Sequence, residues 1–169
     1  NNDAMMIGCG LMRHLEIFQN KQWGDEEIEK YLETLKATLE VKLNDLSSFE
    51  LYKTELMSQK LDWSSPVHRS ERFWRGNILS FTTETLELLR AILLNDSGDV
   101  DSRSIAVALF DIGEFARFHP FSKKLLETVD VKVPISQLLQ ESKDIEVKKE
   151  ALLALQKIMI HNWESLSTA

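Results

Sequence analysis

Apolar positions recur along the chain at the spacing of amphipathic helices, and no stretch shows the strict alternation of a half-buried strand. The broadest pattern covers residues 105–119, where Ile105, Ala108, Leu109, Ile112, Phe115 and Ala116 share one face and Ala106 and Gly113 stand at its margin. Asp111, Glu114 and Arg117 line the other side, so the spacing predicts a central helix buried over about half its circumference.

Other elements follow in the same way. Met5, Ile7, Leu11, Leu15 and Phe18 predict a helix over 4–18, weakened by two glycines. Asp25, Glu26 and Glu27 place acid where a helix dipole favours it, ahead of a stripe of Ile28, Tyr31, Leu32, Leu35 and Leu39. Ser47 and Glu50 form a capping box for a short helix through Leu51, Leu56 and Met57. The pattern then breaks over 58–77, SQKLDWSSPVHRSERFWRGN, where Pro66 pushes Ser65 out of the helical region. This stretch reads as a tethered connector, its aromatics either packed over the edge of a core or exposed as a binding surface. Leu86, Leu89, Ile92 and Leu93 form the next stripe, which ends at Asn95, Asp96, Ser97 and Gly98. Beyond the central helix, Phe121, Leu125 and Leu126 follow Pro120 as about two turns of helix. Residues 133–140 make another short helix, with Ile135, Leu138 and Leu139 inward. Asp144 caps a last, long helix whose predicted buried face is Val147, Ala151, Leu152, Ala154, Leu155, Ile158 and Met159.

Laid over this last helix at a shift of 43 residues, the central helix pairs Ala108 with Ala151, Leu109 with Leu152, Ile112 with Leu155, Phe115 with Ile158 and Ala116 with Met159. A period near 40–47 residues built of helices marks armadillo and HEAT arrays, in which stacked units bury faces that one unit cannot. The expected fold is therefore all-α, an armadillo/HEAT-like repeat stack or α-solenoid. One domain spans 1–169, with connector 58–77 between an N-terminal helical part and two repeats at about 82–128 and 129–169.

Composition narrows the function. The length of 169 residues suffices for one core without staples, and a single cysteine, Cys9, cannot close an intramolecular disulfide, which suits a reducing, cytosolic setting. A net charge of −7 argues against nucleic acid and against polybasic attraction to lipid, which leaves proteins as partners. No apolar run reaches the roughly 18–20 residues a bilayer requires, so no direct membrane insertion is expected. The six glycines are scattered and form no phosphate loop, and His14, His68, His119 and His161 fall in no metal-binding spacing. Asp111 and Glu114 stand one turn apart without a nucleophile or polarising group, and Glu114 with Arg117 makes the simpler surface ion pair. No cofactor, metal or catalytic centre is expected. The turn 95–102, NDSGDVDS, lacks a calcium loop's ligand pattern; it is either an ordinary solvated loop or an acidic finger able to touch a basic partner. The start at Asn1 rather than methionine suggests a fragment of a longer chain.

Three stretches carry a resemblance: the 36 residues from Lys21, KQWGDEEIEKYLETLKATLEVKLNDLSSFELYKTEL; LDWSSPVHRSERFWRGN from Leu61; and AVALFDIGEFAR from Ala106 taken with EALLALQKIMIHNW from Glu150. In the second, Trp63, Pro66, Val67, His68, Ser70, Glu71, Phe73, Trp74 and Asn77 look like a family signature. Together they resemble the C-terminal domain of the H-subunit family of eukaryotic vacuolar-type proton-pumping ATPases (V-ATPases). The resemblance implies a non-catalytic, regulatory domain, isolated as a monomer, that sits on the cytosolic face of vacuolar and other endomembranes as part of the pump. Its implied partners are other pump subunits in the peripheral stalk, the cytosolic sector and the cytosolic part of the membrane sector. The implied roles are support of ATP-driven proton transport in the assembled pump and inhibition of ATP hydrolysis in the detached cytosolic sector, by bridging subunits. From composition and position, Trp63, His68, Arg69, Phe73 and Trp74 of the connector and Asp96, Asp99 and Asp101 of the turn are the candidate partner-binding residues. The competing reading is an armadillo-like adaptor for peptides or trafficking proteins, although Trp23, Trp63, Trp74 and Trp163 do not recur at the repeat period that such a groove requires.

Overall fold

A computed structural model describes residues 14, 15, 17, 18, 26–45, 48–95 and 98–167. The predicted helix over 4–18 lies outside the described residues except for His14, Leu15, Ile17 and Phe18, which are helical. Cys9, Asp25, Ser47, Asp96 and the side chains of Leu39 and Trp163 also lie outside them.

Every regular element among the described residues is a helix, and the chain divides into two compact units, 1–60 and 61–169, with the division inside the predicted connector. The first unit holds α1 (Glu26–Asp45) and α2 (Ser48–Ser58). α1 forms where its acidic start predicts, but Ile28, Tyr31 and Leu35 of its stripe are exposed. In α2, Leu51, Tyr52 and Leu56 are buried while Met57 is exposed.

The second unit holds α3 (Glu71–Asn77), a 3-10 turn (Ile78–Ser80), α4 (Thr83–Leu94), α5 (Ser102–Phe118), α6 (Ser122–Val129), α7 (Lys132–Glu141) and α8 (Ile145–Ser167). α4 packs on α5 and α7 on α8; α5 also lies against α8 and α4 against α7, so two helix pairs stack like on like, with α6 touching α4, α5 and α8. This is a helical stack of the α-solenoid kind. Its two long helices begin at equivalent caps: Asp101 Oδ1 accepts from Ser104 N at 2.6 Å, and Asp144 Oδ1 accepts from Glu146 N at 2.8 Å and Val147 N at 3.3 Å. A carboxylate at an N-cap satisfies otherwise orphaned amides and meets the positive end of the helix dipole.

α5 is more enclosed than its sequence suggests. Every residue from Ser104 to Ala116 is buried except Phe110, which is half-buried. Asp111 and Glu114 of the predicted polar face are thus internal, while Arg117 stays exposed, because α5 has neighbours on several sides and its carboxylates find partners there. Gly113 lets α8 approach: a Cβ at this position would stand 3.0 Å from Lys157 Cδ and 3.4 Å from the Cα of Ala154. α8 is enclosed on one side only. Val147, Ala151, Ala154 and Ile158 are buried, Leu155 is half-buried, and Leu152 and Met159 are exposed. The predicted face was therefore too wide, and the pairings of Leu109 with Leu152 and Ala116 with Met159 do not hold for burial. α5 is covered all round, whereas α8 touches α5, α7 and α6 and leaves its far side open.

The connector is not wholly irregular. Its second half is α3, begun by Ser70, whose Oγ accepts from Phe73 N at 3.2 Å, and supported by an ion pair from Arg75 to Glu71 at 2.6 Å, one turn apart. Arg75 holds the exposed Glu71 carboxyl below its usual range, first by this hydrogen bond and then by its charge.

Candidate partner-binding surface

The segment that leads into α3 is tied to α5 by two buried polar links. Ser104 Oγ accepts from the amide of Leu61 at 3.0 Å and donates to its carbonyl at 3.2 Å. Seven residues on, His68 Nδ1 lies 3.0 and 2.9 Å from the two carboxylate oxygens of Asp111, with both side chains fully buried. The imidazole N–H donates to the carboxylate. A third polar link joins α5 to α8, where Lys157 Nζ donates to Glu114 Oε1 at 2.6 Å. All three links span 43 residues.

Three of the candidate connector residues face inward: the side chains of His68, Phe73 and Trp74 are buried and hold the connector in place. Trp74 donates from Nε1 to the His68 carbonyl at 2.8 Å, stacks on Phe81 at 5.0 Å and stands edge-on to Phe73 at 5.4 Å. Phe81 passes the contact to Phe115 at 5.7 Å, and Phe115 stacks on His119 at 4.8 Å. Of the two readings of the connector aromatics, packing over a core applies to Phe73 and Trp74. Burial lowers the pKa of His119, and its Nδ1 accepts from the Phe121 amide at 3.1 Å, as a neutral imidazole can.

Trp63 and Arg69 remain toward solvent, half-buried and exposed. The Arg69 guanidinium lies 4.4 Å above the Trp63 ring, whose Nε1–H donates to Glu146 of α8 at 2.8 Å. Trp63 meets Phe110 of α5 edge-on at 5.4 Å, and Lys157 lies 4.7 Å from the Phe110 ring centre on its way to Glu114. Arg117 is 3.6 Å from the other Glu114 oxygen. Glu114 is therefore a largely buried acceptor shared by two cations, where the sequence predicts a surface pair. Farther along, Arg117 and Arg75 both approach the Phe118 ring, at 4.8 and 5.3 Å. The arrangement is a ladder of cations, rings and carboxylates that crosses from the connector to α5 and α8. Its Phe110, Lys157 and Phe118 were not identified from sequence; the signal available was the single aromatic that interrupts the otherwise aliphatic start of α5.

The acidic turn is built by Asn95. This residue ends α4 in the left-handed region at φ 47°, and its side-chain amide donates to the Val100 carbonyl at 3.1 Å and accepts from the Val100 amide at 3.0 Å. Gly98, at φ +74°, takes the positive angle that the reversal needs, and its amide donates to Asn95 O at 2.9 Å. The clasp presents Asp99 and Asp101 outward. The turn and the connector meet electrostatically at Arg103, which pairs with Asp62 at 3.0 Å. Asp62 first, and then Asp101 and Glu146, stabilise its charge. Among the described residues no group of three His, Cys, Asp or Glu side chains could hold a metal, and no helix is long and apolar enough to cross a membrane.

A family model described as the H subunit of the V-ATPase matches residues 45–163. The chain is 40% identical over 161 residues to the V-type proton ATPase H subunit of Drosophila melanogaster, covering 95% of this chain and 34% of that protein. It is 36% identical over 161 residues to a probable second V-type proton ATPase H subunit of Caenorhabditis elegans, covering 95% and 34%. To the V-type proton ATPase H subunit of Dictyostelium discoideum it is 37% identical over 168 residues, covering 96% and 36%. The chain thus spans about a third of the length of the curated relatives it matches.

Proposed function

The chain belongs to the V-ATPase H-subunit family, and from that premise we propose that it is a non-catalytic regulatory domain of the proton-pumping V-type ATPase. The observation that carries this reading is the family match across 45–163, which includes the connector, the acidic turn and both long helices. The domain works on the cytosolic side of endomembranes, against other subunits of the pump. In the assembled enzyme it supports ATP-driven proton transport; on the detached cytosolic sector it inhibits hydrolysis by bridging subunits.

A rotary machine gives this role a physical route that needs no active site. A rigid block joined to a stationary part and a rotating part stops rotation, and one joined to stationary parts alone braces them against torque. The enclosure of α5 and its three 43-residue polar links supply such rigidity. The contacts are made by one surface, Trp63 and Arg69 of the connector and Asp99 and Asp101 of the turn beside it, with Asp96 as a further acidic residue of that turn. Asp101 also caps α5, so the informative replacement is serine, which keeps a cap while removing the charge. Asp96→Ser, Asp99→Ser and Asp101→Ser combined should leave association with detached cytosolic sectors intact and weaken inhibition of their ATP hydrolysis. Undiminished inhibition at normal binding would remove the turn from the contact.

A further inference from the structure

We propose that the outward face of α8 is a docking site for an amphipathic partner helix with acidic flanks. Ile145, Leu152, Met159 and Ile160 are 84, 47, 60 and 60% exposed. The first three recur at every seventh position and so form a line along the helix, with Leu155 half-buried at its edge. Single exposed apolar side chains are ordinary, whereas a continuous line of them is a mark of a contact surface. Between Ile145 and Ile160 it runs about 22 Å, four turns at 1.5 Å per residue. α8 does not use this line to fold, since Val147, Ala151, Ala154 and Ile158 bury its opposite side.

The charges choose the occupant. Half-buried Lys148 and exposed Lys149 and Gln156 share the face, and exposed Lys143 stands two residues before α8, ahead of the capping Asp144. The carboxylates of this helix segment are engaged elsewhere: exposed Glu146 accepts from Trp63 at 2.8 Å, and buried Glu150 lies 3.5 Å from the ammonium of Lys149, whose side chain stays largely exposed. A chain with 27 acidic and 20 basic residues therefore presents here an apolar line with Lys148 and Lys149 beside it, its nearby carboxylates already bonded to Trp63 and Lys149. An acidic amphipathic helix complements both features. A second copy would set lysine against lysine. A bilayer, too broad to meet only this strip, would face the net charge of −7. The inference is separate from the bridging role, because it needs no assignment of which sector is touched.

Two synthetic helical peptides with the same leucine stripe, one flanked by glutamate and one by lysine, provide the probe. By fluorescence anisotropy with the full chain at low salt, the glutamate peptide should bind at least about tenfold more tightly. Lys148→Glu with Lys149→Glu should reverse that order, and Leu152→Ser should remove binding while leaving the melting temperature unchanged. Equal binding of the two peptides, or none, would overturn the proposal. So would tighter binding to phosphatidylserine vesicles than to the glutamate peptide, or a dimer of this chain that Leu152→Ser dissolves.

Discussion

His119 is the residue whose surroundings give the plainest pH dependence. Burial against Phe115 and the hydrogen bond from the Phe121 amide favour its neutral form, and its pKa falls below the ordinary 6.5. The unfolded chain then binds a proton that the folded chain refuses. Its contribution is complete above pH 6.5 and is lost as the pH falls from there through the lowered folded value. Urea titrations across this window should show stability rising with pH, and His119→Gln, which can still accept from Phe121, should flatten that part of the slope. An unchanged slope would contradict the assignment. His68 and Asp111 show a different use of polarity: each was visible in the sequence as a polar residue, one in a connector and one on a helix, but their meeting was not. Nothing in local spacing tells a buried histidine from an exposed one when its partner lies 43 residues away.

At the scale of elements, the periods of α4, α5, α7 and α8 were legible because each has at least one stripe that must be buried, and the Asp144 cap was legible from its position ahead of the last stripe. How much of each circumference is covered depends on neighbours, which periodicity does not encode. Thus α5 was underestimated and α8 overestimated. Substitutions to alanine should expose the difference. Leu109→Ala, fully enclosed, should cost about 2–5 kcal/mol in chemical denaturation. Leu155→Ala should cost less, and Leu152→Ala should stay within about 0.5 kcal/mol, as exposed positions do. A Leu152→Ala loss as large as that of Leu109→Ala would place the second flank of α8 inside the core. α3 went unread for another reason: at seven residues it is too short to show a period, and it stands on the Ser70 cap, the Glu71–Arg75 pair and the burial of Phe73 and Trp74.

For the whole molecule, the candidate surface was only partly legible. The distinctive run from Leu61 to Asn77 drew attention to the connector, but it could not separate side chains that hold the segment, His68, Phe73 and Trp74, from those left toward solvent, Trp63 and Arg69. That division is made by Asp111 and the Phe81–Phe115 cluster, which lie elsewhere in the chain. The second unit is a tightly packed helical stack, and the proposed role assigns its outward residues to contacts with neighbouring subunits. The proposed regulation by contact would act on hydrolysis and pumping in opposite ways. The most direct measurement adds the full chain to detached cytosolic sectors and to membranes carrying the assembled pump, both depleted of their own H subunit, and follows ATP hydrolysis and proton pumping separately. The account predicts that hydrolysis by the detached sectors falls while pumping by the membranes is sustained or rises; a bound chain that leaves hydrolysis by the detached sectors unchanged, or that lowers both activities alike, would contradict it.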